Sequence, residues 1–261
     1  MAALRNALKA RLDTGDLGIG ATIRIGRTAD MPLVLKQAGF DFLWLDREHG
    51  VVSLDASYQM AWSAIGAGIA PLIRLATHVP AEINLVLTNG FLGVIAPHVE
   101  TAEQAAAIAA CCRFPPGGVR SVPAGFPHFQ WEAVPFAKAA EALNRETLCV
   151  VMLESRLAIR NAEAIASVPG VDVLKIGASD LSFEAGIPSQ DGHPFIHDAV
   201  SDVVAACAKH GKHAGIGGVS DSELLSTFTG MGIRYVSAGP DLAFLVEAAR
   251  RRVTTIRDSL L

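Results

Sequence analysis

Charge is scarce in this chain: 18% of its 261 residues are Asp, Glu, Lys or Arg, while 51% are apolar. Such a composition can bury a large core, which excludes an intrinsically disordered protein. Excess basic charge is missing too. A net charge of −4 offers no footprint for nucleic acid and no polybasic patch for a membrane surface, so a small-molecule partner is the default. No apolar run approaches the ~20 residues that cross a bilayer. The longest, Ala64 to Ile73, is broken by glycines and a proline and stops at Arg74. The opening stretch MAALRNALKARLDTGD lacks the apolar core of a signal peptide and reads as a short amphipathic helix. A cytoplasmic protein is expected. No C-x-x-C pair exists; Cys111, Cys112, Cys149 and Cys207 make a poor zinc frame and are expected as buried, reduced thiols. Repeats, low-complexity tracts and linkers are absent as well, so residues 1–261 are expected to form one domain.

What is present has a rhythm. Short β-rich apolar runs recur at Gly18–Ile25, Asp41–Leu45, Ala70–Leu75, Gly93–Val99, Cys149–Glu154, Val171–Gly177, His213–Gly218 and Tyr235–Gly239. They are apolar throughout, as parallel strands covered on both faces are. Helix signals fall between them. Thr101 with Gln104, and Ser220 with Glu223, have capping-box spacing. Pro80 and Pro194 suit first helical turns, and Asp241–Leu261 reads as a final helix. Eight strands alternating with helices predict a closed (β/α)8 barrel, a size of chain that fold commonly uses. The competing doubly wound sheet lacks a G-x-G-x-x-G after its first strand. Arg113–Trp131, rich in proline and glycine, is expected as an ordered functional loop.

Chemistry in such a barrel belongs at the C-terminal strand ends, and the polar residues gather there. Glu154 and Asp180 follow consecutive strands. Two carboxylates facing one mouth suit Mg²⁺ or Mn²⁺, unless each caps a helix or pairs with an arginine such as Arg156. Asp46 and His49 end the second strand, where a carboxylate can orient an imidazole as a general base. Glu48 between them would turn away into a structural salt bridge. Alternatively, His49 only hydrogen-bonds within a loop. Arg74, ending an apolar strand, needs an anion: a developing oxyanion, or Glu48. The turn Gly177-Ala178-Ser179-Asp180 leaves backbone N–H groups free for a carboxylate. Gly215–Gly218 either admits a ligand or closes a tight strand end. Lys175, within the sixth strand, either forms a Schiff base with a ketone or turns outward along a helix. His98 and His128 are candidates to line the mouth.

Taken together, GFDFLWLDREHG (39–50), PLIRL (71–75), GVIAPHVETAEQA (93–105), RFPPGGVRSV (113–122), VVMLES (150–155) and GVDVLKIGASDLS (170–182) resemble the HpcH/HpaI aldolase family, class II pyruvate aldolases. The resemblance runs in order over nearly the whole chain. It implies a barrel of the phosphoenolpyruvate/pyruvate type in a homo-hexamer, a trimer of dimers, with C-terminal helices exchanged between neighbours. It implies a divalent ion (Mg²⁺, Mn²⁺ or Co²⁺) on Glu154 and Asp180. His49, backed by Asp46, would be the base, and Arg74 would contact the pyruvate keto oxygen. The backbone around Gly177, Ala178, Ser179 and Asp180 would hold the carboxylate. Cleavage of a 4-hydroxy-2-oxo acid to pyruvate and an aldehyde follows. Succinic semialdehyde, lactaldehyde, glyceraldehyde and tartronate semialdehyde are all compatible acceptors.

Departures from the family pattern concern the acceptor. Many relatives carry an aspartate where this chain has Thr88, and usually an apolar residue where it has Lys175. Arg47 stands where a small residue is common and is expected to reach the acceptor side, together with Arg120 and His128. Other readings remain: an enolate-forming lyase on a CoA thioester or phosphoenolpyruvate-type substrate, a Lys175 Schiff-base aldolase, or an inactive barrel with a binding role. A CoA enzyme would want a basic groove, and none is evident. Retention of Glu154, Asp180, His49 and Arg74 together argues against a decayed site.

Overall fold

In a computed structural model, which describes residues 4–259, eight parallel strands close into a barrel in chain order. They are β1 Gly18–Ile23, β2 Phe42–Asp46, β3 Ala70–Arg74, β4 Gly93–Ala96, β5 Leu148–Leu153, β6 Val173–Gly177, β7 His213–Gly217 and β8 Tyr235–Pro240. Every expected strand is present. The helices Met31–Gln37, Leu54–Ala67, Pro80–Thr88, Ala102–Cys111, Phe136–Glu146, Pro194–His210 and Ser222–Met231 lie in the connections, and Asp241–Asp258 ends the described chain.

Side-chain alternation explains why the strands read as unbroken apolar runs. Along β2, Phe42 and Trp44 point into the barrel while Leu43 and Leu45 face the helices. Along β5, Val150 and Met152 point in while Val151 and Leu153 point out. Both faces are dry, so both are apolar. Continuing the inward set by two residues reaches Asp46 on β2, Arg74 on β3 and Glu154 just past β5. The floor is closed by Leu8 and Leu12 of the helix Ala7–Asp13, which join Phe42, Leu72, Val173 and Tyr235. Gly20 is required there, since a Cβ would lie 2.2 Å from the Phe42 ring.

Local signals act as their chemistry dictates. Thr101 and Gln104 form a reciprocal capping box at Ala102–Cys111. Pro80 and Pro194 open their helices. The Ser220–Glu223 pair does not form. Asp221 caps Ser222–Met231 instead, accepting from the N–H groups of Glu223 (2.8 Å) and Leu224 (3.0 Å). A carboxylate at the N-cap outcompetes a hydroxyl one residue further out. All four cysteines are buried and free. The stretch 113–131 packs through Phe114 and Phe126 onto Leu4, Leu92 and Leu143, a cluster outside the barrel.

β1 ends two residues earlier than expected because Asp241 takes over its backbone. The buried Asp241 carboxylate accepts from the N–H groups of Arg24 (2.9 Å), Ile25 (3.1 Å), Gly26 (2.7 Å) and Leu242 (2.9 Å). It clasps the loop after β1 to the start of the last helix. Asp241→Ala is expected to lower the unfolding free energy by about 2–3 kcal/mol, because it orphans several amides at once. Urea titration should show a lower midpoint at an unchanged slope; an unchanged midpoint would rule out this role.

Candidate active site

The β2–β3 register sets Asp46 beside Arg74. Their side chains form a bidentate pair, Nε to Oδ1 at 2.9 Å and Nη2 to Oδ2 at 2.7 Å. Arg74 Nη1 also lies 2.9 Å from Glu48 Oε2, and the guanidinium sits 5.2 Å from the centre of the Trp44 ring. Burial pushes the Asp46 carboxyl up, but the hydrogen bonds and charge of Arg74 hold it below the usual range. The same Asp46 oxygen accepts from the backbone N–H groups of Glu48 and His49 at 3.1 Å each. The aspartate therefore shapes the chain that carries His49, while its charge goes to Arg74. The nearest acid to the His49 ring is Glu48, at 3.8 Å.

Glu48 enters a salt bridge with Arg74, as expected from sequence, and it also reaches His98. Its Oε1 lies 2.7 Å from His98 Nε2. His98 follows β4 with φ of 52°, a left-handed conformation uncommon for a residue with a side chain. That twist turns its backbone N–H onto Glu154 Oε2 at 2.9 Å, with Nδ1 3.3 Å from the same oxygen. Burial lowers the imidazole's affinity for a proton, but Glu154 and Glu48 outweigh it and raise its pKa.

Glu154 is buried at the end of β5, and its second oxygen, Oε1, has no partner among the described residues. Gly177 lies against it; a Cβ there would stand 2.5 Å from Oε1. Burial raises the Glu154 pKa against the pull of His98 and Lys175. Arg156, the structural alternative for this carboxylate, pairs with Glu184 and the Ala185 carbonyl instead. Asp180 stands in the first turn of the helix Ala178–Glu184.

Lys175 points inward, correcting the outward alternative. It is 2% exposed, with Nζ 4.5 Å from the centre of the Trp44 ring. Desolvation, reinforced by Arg74, lowers its pKa to about 8 despite nearby carboxylates. The signal was available: Lys175 lies two residues before Gly177, on the inward set of β6.

A cavity of about 490 Å³ at the C-terminal strand ends is lined by Asp46, His49, Arg74, Glu154, Lys175, Gly177, Ser179 and Asp180, among others. Gly217 and Gly218 also line it, and Gly218 (φ 89°) leaves no room for a Cβ beside Ser179. Arg24 and Trp44 join the lining unforeseen. Arg24 lies just past β1, with Nη1 3.8 Å from Asp46, and only barrel closure brings it there. Three expected acceptor-side residues do not reach this cavity. Arg47 is tied to Glu82 at 3.0 Å. Arg120 is buried under the Leu87 carbonyl, and His128 is buried against the Phe91 carbonyl. Each found a partner within the helical layer, where loop direction rather than residue type decided its place.

Among the described residues no group of three or more His, Cys, Asp or Glu is arranged to hold a metal ion. Glu154 and Asp180 are a two-carboxylate set, which suits a hard ion that keeps water or substrate oxygens in its remaining positions.

Against this geometry the comparisons are direct. The profile of the HpcH/HpaI aldolase/citrate lyase family matches residues 25–248. The chain belongs to that family and is a lyase of the aldolase type. It is 36% identical over 231 residues to a 4-hydroxy-4-methyl-2-oxoglutarate aldolase of Hapsidospora irregularis, covering 86% of this chain and 84% of that one. It is 34% identical to a hydroxypyruvate/pyruvate aldolase of Chromohalobacter salexigens, covering 96% and 97%. The solved HpcH/HpaI aldolase of Desulfitobacterium hafniense superposes with a TM-score of 0.90 at 25% identity, covering 96% of both chains.

The buried Lys175 yields a pH signature. Between about 8 and its ordinary value of 10.5 the unfolded chain keeps this proton and the folded chain does not. The unfolded state binds more protons there, so stability contributed by this site rises with pH across that window. In chelator, the urea midpoint of the wild type should rise relative to Lys175→Met from pH 8 upward. Parallel profiles would show that Lys175 does not titrate there.

Proposed function

We propose that this protein is a divalent-metal-dependent aldolase that reversibly cleaves a 4-hydroxy-2-oxo acid to pyruvate and an aldehyde, with residues 1–261 as one catalytic unit. One observation carries the reading: Glu154 Oε1 is buried and unpartnered beside Gly177, in a cavity that also holds Asp180 and Arg74. A buried carboxylate oxygen without a donor is costly unless a cation completes it. Glu154 and Asp180 would hold Mg²⁺, Mn²⁺ or Co²⁺, which would supply Lewis-acid stabilisation of charge growing on a keto oxygen.

The chain's own groups divide the remaining work. A guanidinium has five N–H donors, and three of those on Arg74 face Asp46 and Glu48. The other two would meet the oxygen on which negative charge develops. Backbone N–H groups at Ala178, Ser179 and Asp180, opening a helix, would hold the substrate carboxylate. His49 at the mouth would take the proton: from the methyl group in the synthetic direction, from the 4-hydroxyl in cleavage. Asp46 would hold both partners in place through Arg74 and the His49 amide. The names of the relatives, both aldolases of 2-oxo acids, support a substrate of that class.

Assembly belongs to the proposal. The helix Asp241–Asp258 exposes Leu242, Leu245, Val246, Val253 and Ile256. This apolar face supports helix exchange within a homo-hexamer. No helix among the described residues is long and apolar enough to cross a membrane, and a cytoplasmic location completes the reading.

A second mechanism has its own observation. Lys175 lines the same cavity and holds its proton weakly, as an amine nucleophile must. One experiment separates the two. Exchange of the pyruvate methyl protons in D₂O, followed by NMR, needs no knowledge of the aldehyde. Exchange is expected to stop in chelator, return with Mg²⁺ or Mn²⁺, and fall about 100-fold or more in Glu154→Gln and Arg74→Met. Exchange that survives chelation but disappears in Lys175→Met would replace the metal mechanism with a Schiff base. Absence of exchange under every condition would remove pyruvate as the enolised substrate.

A further inference from the structure

Arg24 stands on the wall of the cavity that faces the two proposed metal ligands. Alternation along β1 turns Gly20 and Thr22 inward, while Ala21 and Ile23 pack against the helices. Arg24 is the next inward position, one residue past the strand, and it lines the cavity. In a barrel closed in chain order, β1 lies across from β5. Arg24 therefore faces Glu154, which follows β5, from the opposite rim. Its backbone is fixed by Asp241, which accepts from its N–H at 2.9 Å.

The protein itself makes little use of this guanidinium. Asp46 Oδ2 is 3.8 Å from Nη1, beyond hydrogen-bond reach, and Asp46 already takes two nitrogens of Arg74 and two amides. The side chain is 42% exposed, so that contact contributes little to stability. Among the described residues its one side-chain hydrogen bond is long, 3.4 Å from Nη2 to the His49 carbonyl. This contact sets the charged fork beside the loop that carries the proposed base. The base handles the 4-hydroxyl proton, and that hydroxyl belongs to the aldehyde half of the substrate. Charge balance points the same way. Arg24, Arg74 and Lys175 are matched across the cavity by Asp46, Glu154 and Asp180. A divalent ion on Glu154 and Asp180 would leave the lining two charges positive. The pyruvate carboxylate answers one of these, and a second carboxylate would answer the other.

We propose that Arg24 recognises a carboxylate on the aldehyde half, so that the substrate is a 4-hydroxy-2-oxo diacid and the aldehyde released carries its own carboxylate. The assignment rests on the aldolase reading and narrows it. A guanidinium fork grips a carboxylate through two parallel charge-assisted N–H bonds, which an uncharged aldehyde cannot accept. Succinic semialdehyde and tartronate semialdehyde meet this requirement; lactaldehyde and glyceraldehyde do not.

The test is condensation of pyruvate with two matched aldehydes by the full-length protein in Mg²⁺ or Mn²⁺, followed by NMR. Succinic semialdehyde is paired with butanal, which has the same carbon chain and no carboxylate. The wild type should favour the semialdehyde in kcat/KM by about tenfold or more. Arg24→Met should bring the ratio to within about threefold of unity, mainly by raising KM for the semialdehyde. Arg24→Lys keeps the charge without the fork and should retain part of the preference. Pyruvate methyl exchange in D₂O, which needs no aldehyde, separates two kinds of failure. If the wild type exchanges those protons but shows no preference for the semialdehyde, or if Arg24→Met keeps the preference, the Arg24 assignment is overturned and the aldolase reading stands. A preference that survives in Arg24→Met and disappears in Lys175→Met would give the carboxylate to Lys175 instead. If the wild type neither exchanges nor condenses either aldehyde, the aldolase reading fails and takes this assignment with it.

Discussion

The Asp46–Arg74 pair is the constraint on which the mouth of the barrel depends. Two neighbouring strands end at the same height, so an acid and a guanidinium face inward side by side. Neither could be buried alone at tolerable cost. Once paired, Asp46 still has lone pairs to spare, and these capture the Glu48 and His49 amides. The loop then has little freedom. Glu48 is brought to the third nitrogen of Arg74, and His98 comes onto Glu48. A chain of charge-assisted contacts thus runs from β2 through β3 and β4 to Glu154.

The interior is graded along the barrel axis. The floor is filled by leucines and aromatic rings, including the Phe42–Tyr235 pair at 4.5 Å. Above Trp44 the filling becomes Lys175, Arg74, Asp46 and Glu154. Burial pushes the Glu154 carboxyl up and the Lys175 amine down, although each charge favours the other. Desolvation outweighs Coulomb attraction here, so each group holds its charge less firmly than it would in water. Outside the barrel, burial likewise weakens the proton affinity of Arg120, whose Nε and Nη1 meet no partner among the described residues.

Much of this was legible from residue order. The eight apolar runs located every strand, because parallel strands are dry on both faces and their length is set by the barrel. Thr101 and Gln104 announced their helix, since a capping box is closed by four consecutive residues. The strand-end residues Asp46, Arg74, Glu154 and Asp180 were also legible, because an ionisable group after an apolar run must sit at its rim. Lys175 was ambiguous only until the inward phase of β6 was known. Ser220 misled because Asp221, one residue on, is the stronger N-cap.

Loop residues were not legible in the same way. Arg47, Arg120 and His128 carry the chemistry of an acceptor site, yet each is held elsewhere by Glu82, Leu87 or Phe91. Nothing local distinguishes them from Arg24 and His98, which do stand at the cavity or its rim. The sequence by itself determined the barrel, its strand ends and the kinds of groups available there, since periodicity and capping act over a few residues. Only the tertiary structure decided which of those groups meet, that Asp46 serves Arg74 and an amide rather than the His49 ring, and that Glu154 keeps one oxygen free. Those choices depend on strand register, barrel closure and the direction of loops, which join residues tens of positions apart.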